Sequence, residues 1–144
     1  MSALCITVFA VVAGDQSVKF MLRRLMGTDV FALGSCVSVR VVAGRIWLRR
    51  LSRRFSGLTM WCIWLVAAIA LIKCSAWAPF NTIFMGLLLG SSLSHAVESS
   101  LQGSITDYIC LRNGAAFNLA DLALAAGAIG ILSELFNIAH QRMS

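Results

Sequence analysis

Apolar residues are concentrated in four stretches of the chain, separated by shorter polar or basic segments. An α-helix rises about 1.5 Å per residue, so roughly 20 apolar residues cross the ~30 Å hydrocarbon core of a bilayer. The pattern predicts an all-α polytopic membrane protein, with a single membrane domain that covers residues 1–144. Its four transmembrane helices are predicted at about residues 3–20, 58–77, 80–97 and 115–138.

The composition supports a membrane protein and excludes an ordinary soluble or disordered chain. Hydrophobic residues make up 59% of the 144 residues and charged residues 12%, whereas soluble domains carry about 45–50% and about 25%. The five cysteines form no CxxC pair and no metal-ligand spacing. They therefore predict small core residues and not a disulfide framework.

The segment between the first two predicted spans, residues 21–57, carries the excess positive charge of the chain. It contains eight arginines and one acidic residue, Asp29, in a chain of net charge +6. Trp47, Leu51 and Phe55 recur at helical spacing, which favours an amphipathic helix in the headgroup plane over a solvated loop. Beside membrane spans, such a basic segment favours anionic lipid headgroups over nucleic acid as the partner.

A few polar side chains interrupt or adjoin the apolar stretches, and these are the strongest functional leads. A charged side chain at the centre of a spanning helix costs about 2.5–3.5 kcal/mol on insertion scales, so those that remain usually serve a function. The set consists of Asp15, Lys19, His95, Glu98, Asp107, Asn118 and Asp121.

Asp107 and Asp121 are the candidate catalytic pair. Asp107 follows the third span and Asp121 lies near the start of the fourth, so a short connection between antiparallel helices brings both carboxyl groups to one side of the membrane. Two close carboxyl groups in a partly desolvated site share one proton and can act as acid and base. A structural role, with Asp121 stabilised near a helix N-terminus, fits the spacing equally well.

His95 and Glu98 are three residues apart and therefore share a helix face. We expect them to form a hydrogen-bonded pair inside the bundle. A metal site built from His95, Glu98, Asp107 and Asp121 would have suitable ligand types, but the sequence favours it less, and we expect no metal or other cofactor.

Two further spacings predict contacts within and between helices. Asp15 and Lys19 are four apart and could form an intrahelical ion pair. The small residues Gly86, Gly90 and Ser94 recur every four positions, which predicts close helix packing rather than the lining of a cavity.

Three sequence elements resemble the lipoprotein signal peptidase (signal peptidase II) family. Residues 105–109 read ITDYI and residues 115–121 read AAFNLAD, which are similar to the family's [VI]-x-D-[FY]-I and [AP]-A-F-N-x-A-D elements. Residues 15–19, DQSVK, are similar to its D-Q-x-x-K element. Where the family has N-x-x-D-R, residues 95–99 read HAVES. The family's N-x-G element after the first span has no counterpart here.

The resemblance implies an aspartic endopeptidase of the bacterial inner membrane that removes signal peptides from diacylglyceryl-modified prolipoproteins. Cleavage would occur just before the lipid-modified cysteine, without a cofactor. The implied partners are this prolipoprotein and membrane lipids, with no nucleic acid. Asp107 and Asp121 would be the catalytic residues, and Asn118 would orient one of them. The supporting or substrate-binding residues would be Asp15, Lys19, His95 and Glu98.

Two alternatives fit the same sequence. The substitutions within residues 95–99 fit a catalytically degenerate homologue that binds lipidated or signal-peptide segments without cleaving them. The small size also fits a membrane scaffold or transport accessory.

Two arguments about the membrane orientation give opposite answers. The resemblance places both termini in the cytoplasm and residues 21–57 outside, whereas the positive-inside rule places this basic segment in the cytoplasm. We follow the resemblance, because an interfacial helix can hold its arginines against anionic lipids on either leaflet.

Overall fold

Four helices and four short strands make up the part of the chain that the computed structural model describes. The described residues are 2–26, 30–33, 35–44, 53–75 and 80–143. The helices are α1 (Ser2–Met26), α2 (Arg53–Ser75), α3 (Thr82–Gln102) and α4 (Leu119–Met143). The strands are β1 (Phe31–Ala32), β2 (Val37–Gly44), β3 (Ile105–Leu111) and β4 (Ala116–Phe117).

Helix α3 is the centre of the bundle, because it packs against α1, α2 and α4. Glycines on α3 allow α1 to approach closely: a Cβ atom at Gly86 would lie 2.7 Å from Thr7 Cβ, and one at Gly90 would lie 3.0 Å from Val11 Cβ. Both distances are too short for a side chain to fit without movement. The spacing of small residues on α3 therefore serves close helix packing, as the sequence predicts.

Three of the described helices are long and apolar enough to cross a membrane. They contain the candidate spans Ala3–Leu25, Leu58–Ser75 and Leu119–Met143. The predicted third span coincides largely with α3, which lies outside this set. The buried residues of α3 include the polar side chains of Ser91, Ser94 and Glu98.

A four-stranded antiparallel sheet in the order β1-β2-β3-β4 corrects the all-α prediction. Strand β2 is rich in β-branched valine, which suits a strand. Residues of β3 alternate between buried and partly exposed positions, with Thr106, Tyr108 and Cys110 buried. Because β1 and β2 follow α1, and β3 and β4 connect α3 to α4, the sheet lies at one end of the bundle.

The predicted basic segment 21–57 is divided among several elements. Its first residues continue α1 to Met26, its middle forms β1 and β2, and α2 begins at Arg53. The proposed amphipathic helix falls mainly on residues 45–52, including Trp47 and Leu51, which lie outside the described residues. Residues 76 and 77, the last two of the second predicted span, also lie outside them.

Candidate active site

Asn118 directly precedes α4 and caps its first turn. Its side-chain Oδ1 accepts a hydrogen bond from the backbone N–H of Asp121 (3.0 Å), and Asp121 Oδ2 accepts one from the backbone N–H of Asn118 (2.9 Å). Such a reciprocal arrangement satisfies N–H groups that the start of a helix leaves without partners. It holds the Asp121 carboxyl group by one oxygen, Oδ2.

The same asparagine holds Asp107, which lies in β3. Asn118 Nδ2 donates to Asp107 Oδ1 (2.9 Å) and to the backbone carbonyl of Thr106 (3.3 Å). Asn118 is fully buried, whereas Asp107 and Asp121 are both partly exposed. Asn118 therefore links two accessible carboxyl groups, because its side-chain amide donates to that of Asp107 and its backbone N–H donates to that of Asp121.

The Asp107 carboxyl group holds its proton more tightly than an ordinary aspartate. Burial raises the pKa of Asp107, the hydrogen bond from Asn118 opposes this shift, and the negative charge of Asp121 adds to it. The two carboxyl groups thus influence each other electrostatically. When one of two interacting carboxyl groups retains its proton, the pair can supply both an acid and a base.

Tyr108 supports the start of α4 from the buried face of β3. Its hydroxyl oxygen accepts a hydrogen bond from the backbone N–H of Leu119 (2.9 Å). Burial raises the pKa of Tyr108 to about 12, so the phenol remains neutral at physiological pH. Tyr108 and Asn118 together satisfy N–H groups in the first turn of the helix that carries Asp121.

Asp15, Lys19, Arg23 and Glu98 form a buried ion network between α1 and α3. The Lys19 ammonium group lies 2.7 Å from Asp15 Oδ2 and 2.6 Å from Glu98 Oε2, and Arg23 Nη2 pairs with Glu98 Oε1. The first pair is the intrahelical one that the spacing predicts. The side chains of Asp15, Lys19 and Glu98 are fully buried, and that of Arg23 is 30% exposed. Two acidic and two basic groups cancel, which favours their burial.

Hydrogen bonds tie this network to the elements of the candidate pair. Asp15 accepts hydrogen bonds from the hydroxyl of Ser94 (2.6 Å) and the backbone N–H of Ala120 (3.3 Å). Glu98 Oε1 accepts one from the backbone N–H of Thr106 (3.0 Å). The two buried carboxylates therefore connect α1 and α3 to both β3 and α4.

His95 and Glu98 do not form the hydrogen-bonded pair expected from their spacing. Glu98 is turned towards Lys19 and Arg23, because these cations compensate its charge. His95 Nε2 instead lies 3.4 Å from Asp121 Oδ1 and has no hydrogen-bond partner among the described residues. This buried nitrogen is a polar group available beside the carboxyl group of Asp121.

A groove of about 470 Å³ between α2, α3 and α4 leads to His95. Apolar side chains dominate its lining, among them Met60 of α2, Leu88 of α3 and Leu124 of α4, and Ile105 contributes from the sheet. The groove therefore offers an apolar binding surface that ends beside the residue facing Asp121.

The four-residue metal site considered from the sequence is not assembled. Among the described residues, no three His, Cys, Asp or Glu side chains are grouped so that they could hold a metal ion. The reason lies in Glu98, whose two oxygens contact Lys19, Arg23 and the N–H of Thr106.

Four residues around the candidate site were missed by sequence reasoning as polar partners. Arg23 was assigned to the basic segment after the first span, although it lies one helical turn beyond Lys19, and continuing the Asp15–Lys19 spacing would have found it. Ser94 was assigned only to packing. Thr106 and Tyr108 act through a strand, and their contacts depend on a sheet that the helical prediction lacks.

Known proteins have sequences similar to this one over most of its length. A protein named lipoprotein signal peptidase from Methylorubrum extorquens (strain PA1) is 28% identical over 141 residues, which cover 90% of this chain and 82% of that protein. One of the same name from Methylobacterium sp. (strain 4-46) is 26% identical over 140 residues, covering 89% and 85%.

A solved structure has a similar fold over nearly the whole chain. It is described as a bacterial membrane enzyme determined by the in meso method at 1.9 Å resolution, with a TM-score of 0.78 and 21% identity, and the match covers 94% of this chain and 93% of that one. The family model described as Signal peptidase (SPase) II matches residues 7–137. The chain therefore belongs to the signal peptidase II family of bacterial membrane proteases that process lipoproteins.

Proposed function

We propose that the chain is an aspartic endopeptidase that removes signal peptides from diacylglyceryl-modified prolipoproteins, cutting just before the lipid-modified cysteine. The observation that carries this proposal is that Asn118 contacts both carboxyl groups, that of Asp107 through its buried side-chain amide and that of Asp121 through its backbone N–H. Membership of the signal peptidase II family supports the substrate class.

The two carboxyl groups have different roles in the proposed reaction. Asp107, whose pKa is raised by burial, holds a proton and donates it to the carbonyl oxygen of the scissile peptide bond. Asp121 accepts a proton from a water molecule as the water oxygen attacks the carbonyl carbon. The tetrahedral intermediate then collapses: its C–N bond breaks, the leaving amine takes up the proton held by Asp121, and one hydroxyl of the intermediate returns a proton to Asp107 as the new carboxyl group forms.

Other polar residues assist this pair without touching the reacting atoms. Asn118 orients both carboxyl groups, and Asp15, Lys19 and Glu98 hold the elements that carry them. His95 faces Asp121 Oδ1, the oxygen that does not bond to the Asn118 backbone. The apolar groove that ends at His95 would bind an apolar part of the prolipoprotein or lipid.

We further propose that α3 is a fourth membrane span, in the bacterial inner membrane. Its 21 residues give a length of about 30 Å, which matches the hydrocarbon core of a bilayer. The other three helices surround α3 and shield its polar groups from lipid. Helix α3 therefore does not need an apolar surface of its own that faces lipid on all sides.

Cleavage of a purified diacylglyceryl-modified prolipoprotein tests the assignment. Asp107→Asn and Asp121→Asn should each abolish product formation. Glu134→Gln is the matched control, because it also removes a carboxylate from α4, yet the hydrogen bond of Glu134 in the described part of the chain is with the N–H of Asn81, before the start of α3. Cleavage at the parent rate by either aspartate variant would refute the assignment. A parent chain that binds the prolipoprotein without cleaving it would instead indicate the degenerate homologue.

A further inference from the structure

Arg23 completes the buried ion network, and it is the member that no motif of the sequence identifies. Asp15, Lys19 and Arg23 follow one another at intervals of four, so they line one face of α1. Without Arg23 the network would contain two carboxylates and one ammonium group. Since the other three side chains are fully buried, the resulting negative charge would be poorly solvated.

The two carboxylates of the network contact the residues that immediately precede the candidate catalytic pair. Thr106, before Asp107, donates its backbone N–H to Glu98 Oε1 (3.0 Å). Ala120, before Asp121, donates its backbone N–H to Asp15 Oδ1 (3.3 Å). The network thus bonds to the main chain directly before each of the two candidate catalytic residues.

Arg23 contacts the side chain of Thr106, the residue before Asp107. The same nitrogen, Nη2, donates to Glu98 Oε1 and to the Thr106 hydroxyl. Glu98 and Thr106 are therefore connected twice, once through the Thr106 N–H and once through the guanidinium group. A guanidinium group presents its donors in a fixed plane, so it restrains both partners more strongly than the flexible ammonium group of a lysine does.

We propose that Arg23 is a positioning residue for Asp107, which fixes β3 against α3 and neutralises the charge of Glu98 where Glu98 meets the backbone N–H of Thr106, the residue before Asp107. This inference rests on the proposed function of the Asp107–Asp121 pair. Its electrostatic part follows from the charges around Asp107: burial, Asp121 and Glu98 raise the pKa of Asp107, whereas the hydrogen bond from Asn118 and the charge of Lys19 lower it. Removing Arg23 leaves the charge of Glu98 less compensated, so the pKa of Asp107 should rise further.

The test compares Arg23→Gln with Arg24→Gln in the full-length protein. The two variants remove the same charge from neighbouring positions, but Arg24 is exposed. In prolipoprotein cleavage, Arg23→Gln should lower kcat by about ten- to a hundredfold with little change in KM. It should also move the alkaline limb of the pH profile to higher pH, because Asp107 keeps its proton longer. Arg24→Gln should change neither quantity.

Arg23→Lys separates the charge of Arg23 from its shape. It keeps the positive charge but loses the planar group that contacts Glu98 and Thr106 together. The alkaline limb should therefore stay near its parent position, while kcat recovers only in part. Equal effects of Arg23→Gln and Arg24→Gln, or a loss of activity without any shift of the limb, would overturn the proposal.

A second readout needs no substrate and so remains informative if the chain cleaves no prolipoprotein. The difference in Tm between the parent and Asp107→Asn, followed over pH in detergent, reports the titration of Asp107 in the folded protein. Repeating the comparison in the Arg23→Gln background should move this titration to higher pH. An unchanged titration would overturn the electrostatic role. Failure of both Arg23 variants to fold would assign Arg23 to stability and would also overturn the proposal.

Discussion

Replacing Asn118 separates its two tasks, which are to cap α4 and to orient Asp107. Asn118→Ser keeps an oxygen that can accept the N–H of Asp121, so the cap should survive. It removes the amide that donates to Asp107 Oδ1 and to the carbonyl of Thr106. Asn118→Ala removes both functions, and Asn118→Asp keeps the cap but places a negative charge against Asp107.

The structure sets the size of each effect. Loss of the cap costs about 1 kcal/mol, so Asn118→Ala should be less stable than Asn118→Ser by about this amount. Loss of a buried hydrogen bond to a carboxyl group costs about 1–3 kcal/mol, which destabilises all three variants. If the same bond is needed in the transition state, kcat should fall by about ten- to a hundredfold for Asn118→Ser, and further for Asn118→Asp.

Unfolding in detergent and cleavage of a diacylglyceryl-modified prolipoprotein measure these two tasks independently. The hydrogen bond from Asn118 lowers the pKa of Asp107, so its loss raises that pKa. Since Asp107 acts as the acid, the alkaline limb of the pH profile should move to higher pH in Asn118→Ser. Parent-like kcat in a folded Asn118→Ser variant, with the alkaline limb unmoved, would refute the proposed role of the amide.

Two further predictions concern the carboxyl groups themselves. Asp107→Asn should raise Tm at neutral pH, because a raised pKa gives the folded protein stability at low pH that is lost as Asp107 ionises. The gain should vanish below pH 3.8, the ordinary pKa of an aspartate. Equal Tm values of the parent and the variant at neutral pH would contradict this prediction. His95→Asn should retain cleavage to lower pH than the parent, because an imidazolium 3.4 Å from Asp121 Oδ1 would form an ion pair with the carboxylate that activates water. Identical acidic limbs in kcat/KM would exclude this effect.

The sequence was most informative about the helices and about the residues at the start of α4. The resemblance implies that Asn118 orients one of the two aspartates, and in the structure Asn118 and Asp121 cap one another at the first turn of α4. Local sequence suffices here, because both residues belong to one turn. The same applies to the close packing of Gly86 and Gly90 against α1.

The sheet could not be predicted in the same way, because its pairing joins distant parts of the chain. Strand β2 pairs with β3 in an antiparallel register that sets Val42 opposite Asp107. Nothing within residues 37–44 specifies this partner, and the surrounding arginines made a basic interfacial helix the simpler interpretation. The position of Asp107 on a strand, and of Thr106 and Tyr108 on its buried face, followed only from the structure.

The same physical cause explains why Arg23 was missed and why α3 is not among the candidate membrane spans of the described residues. A hydropathy pattern ends the first span near Phe20, since it counts charged residues as unfavourable in a membrane. In the structure α1 continues to Met26, and Lys19 and Arg23 meet Glu98 of α3. Each charge is unfavourable in the membrane alone but tolerable with its partner. A hydropathy pattern along one segment therefore cannot recognise an ion pair that forms between two segments. The residues that weaken the span signal are therefore those that hold the two helices, and the candidate carboxyl groups beside them, in place.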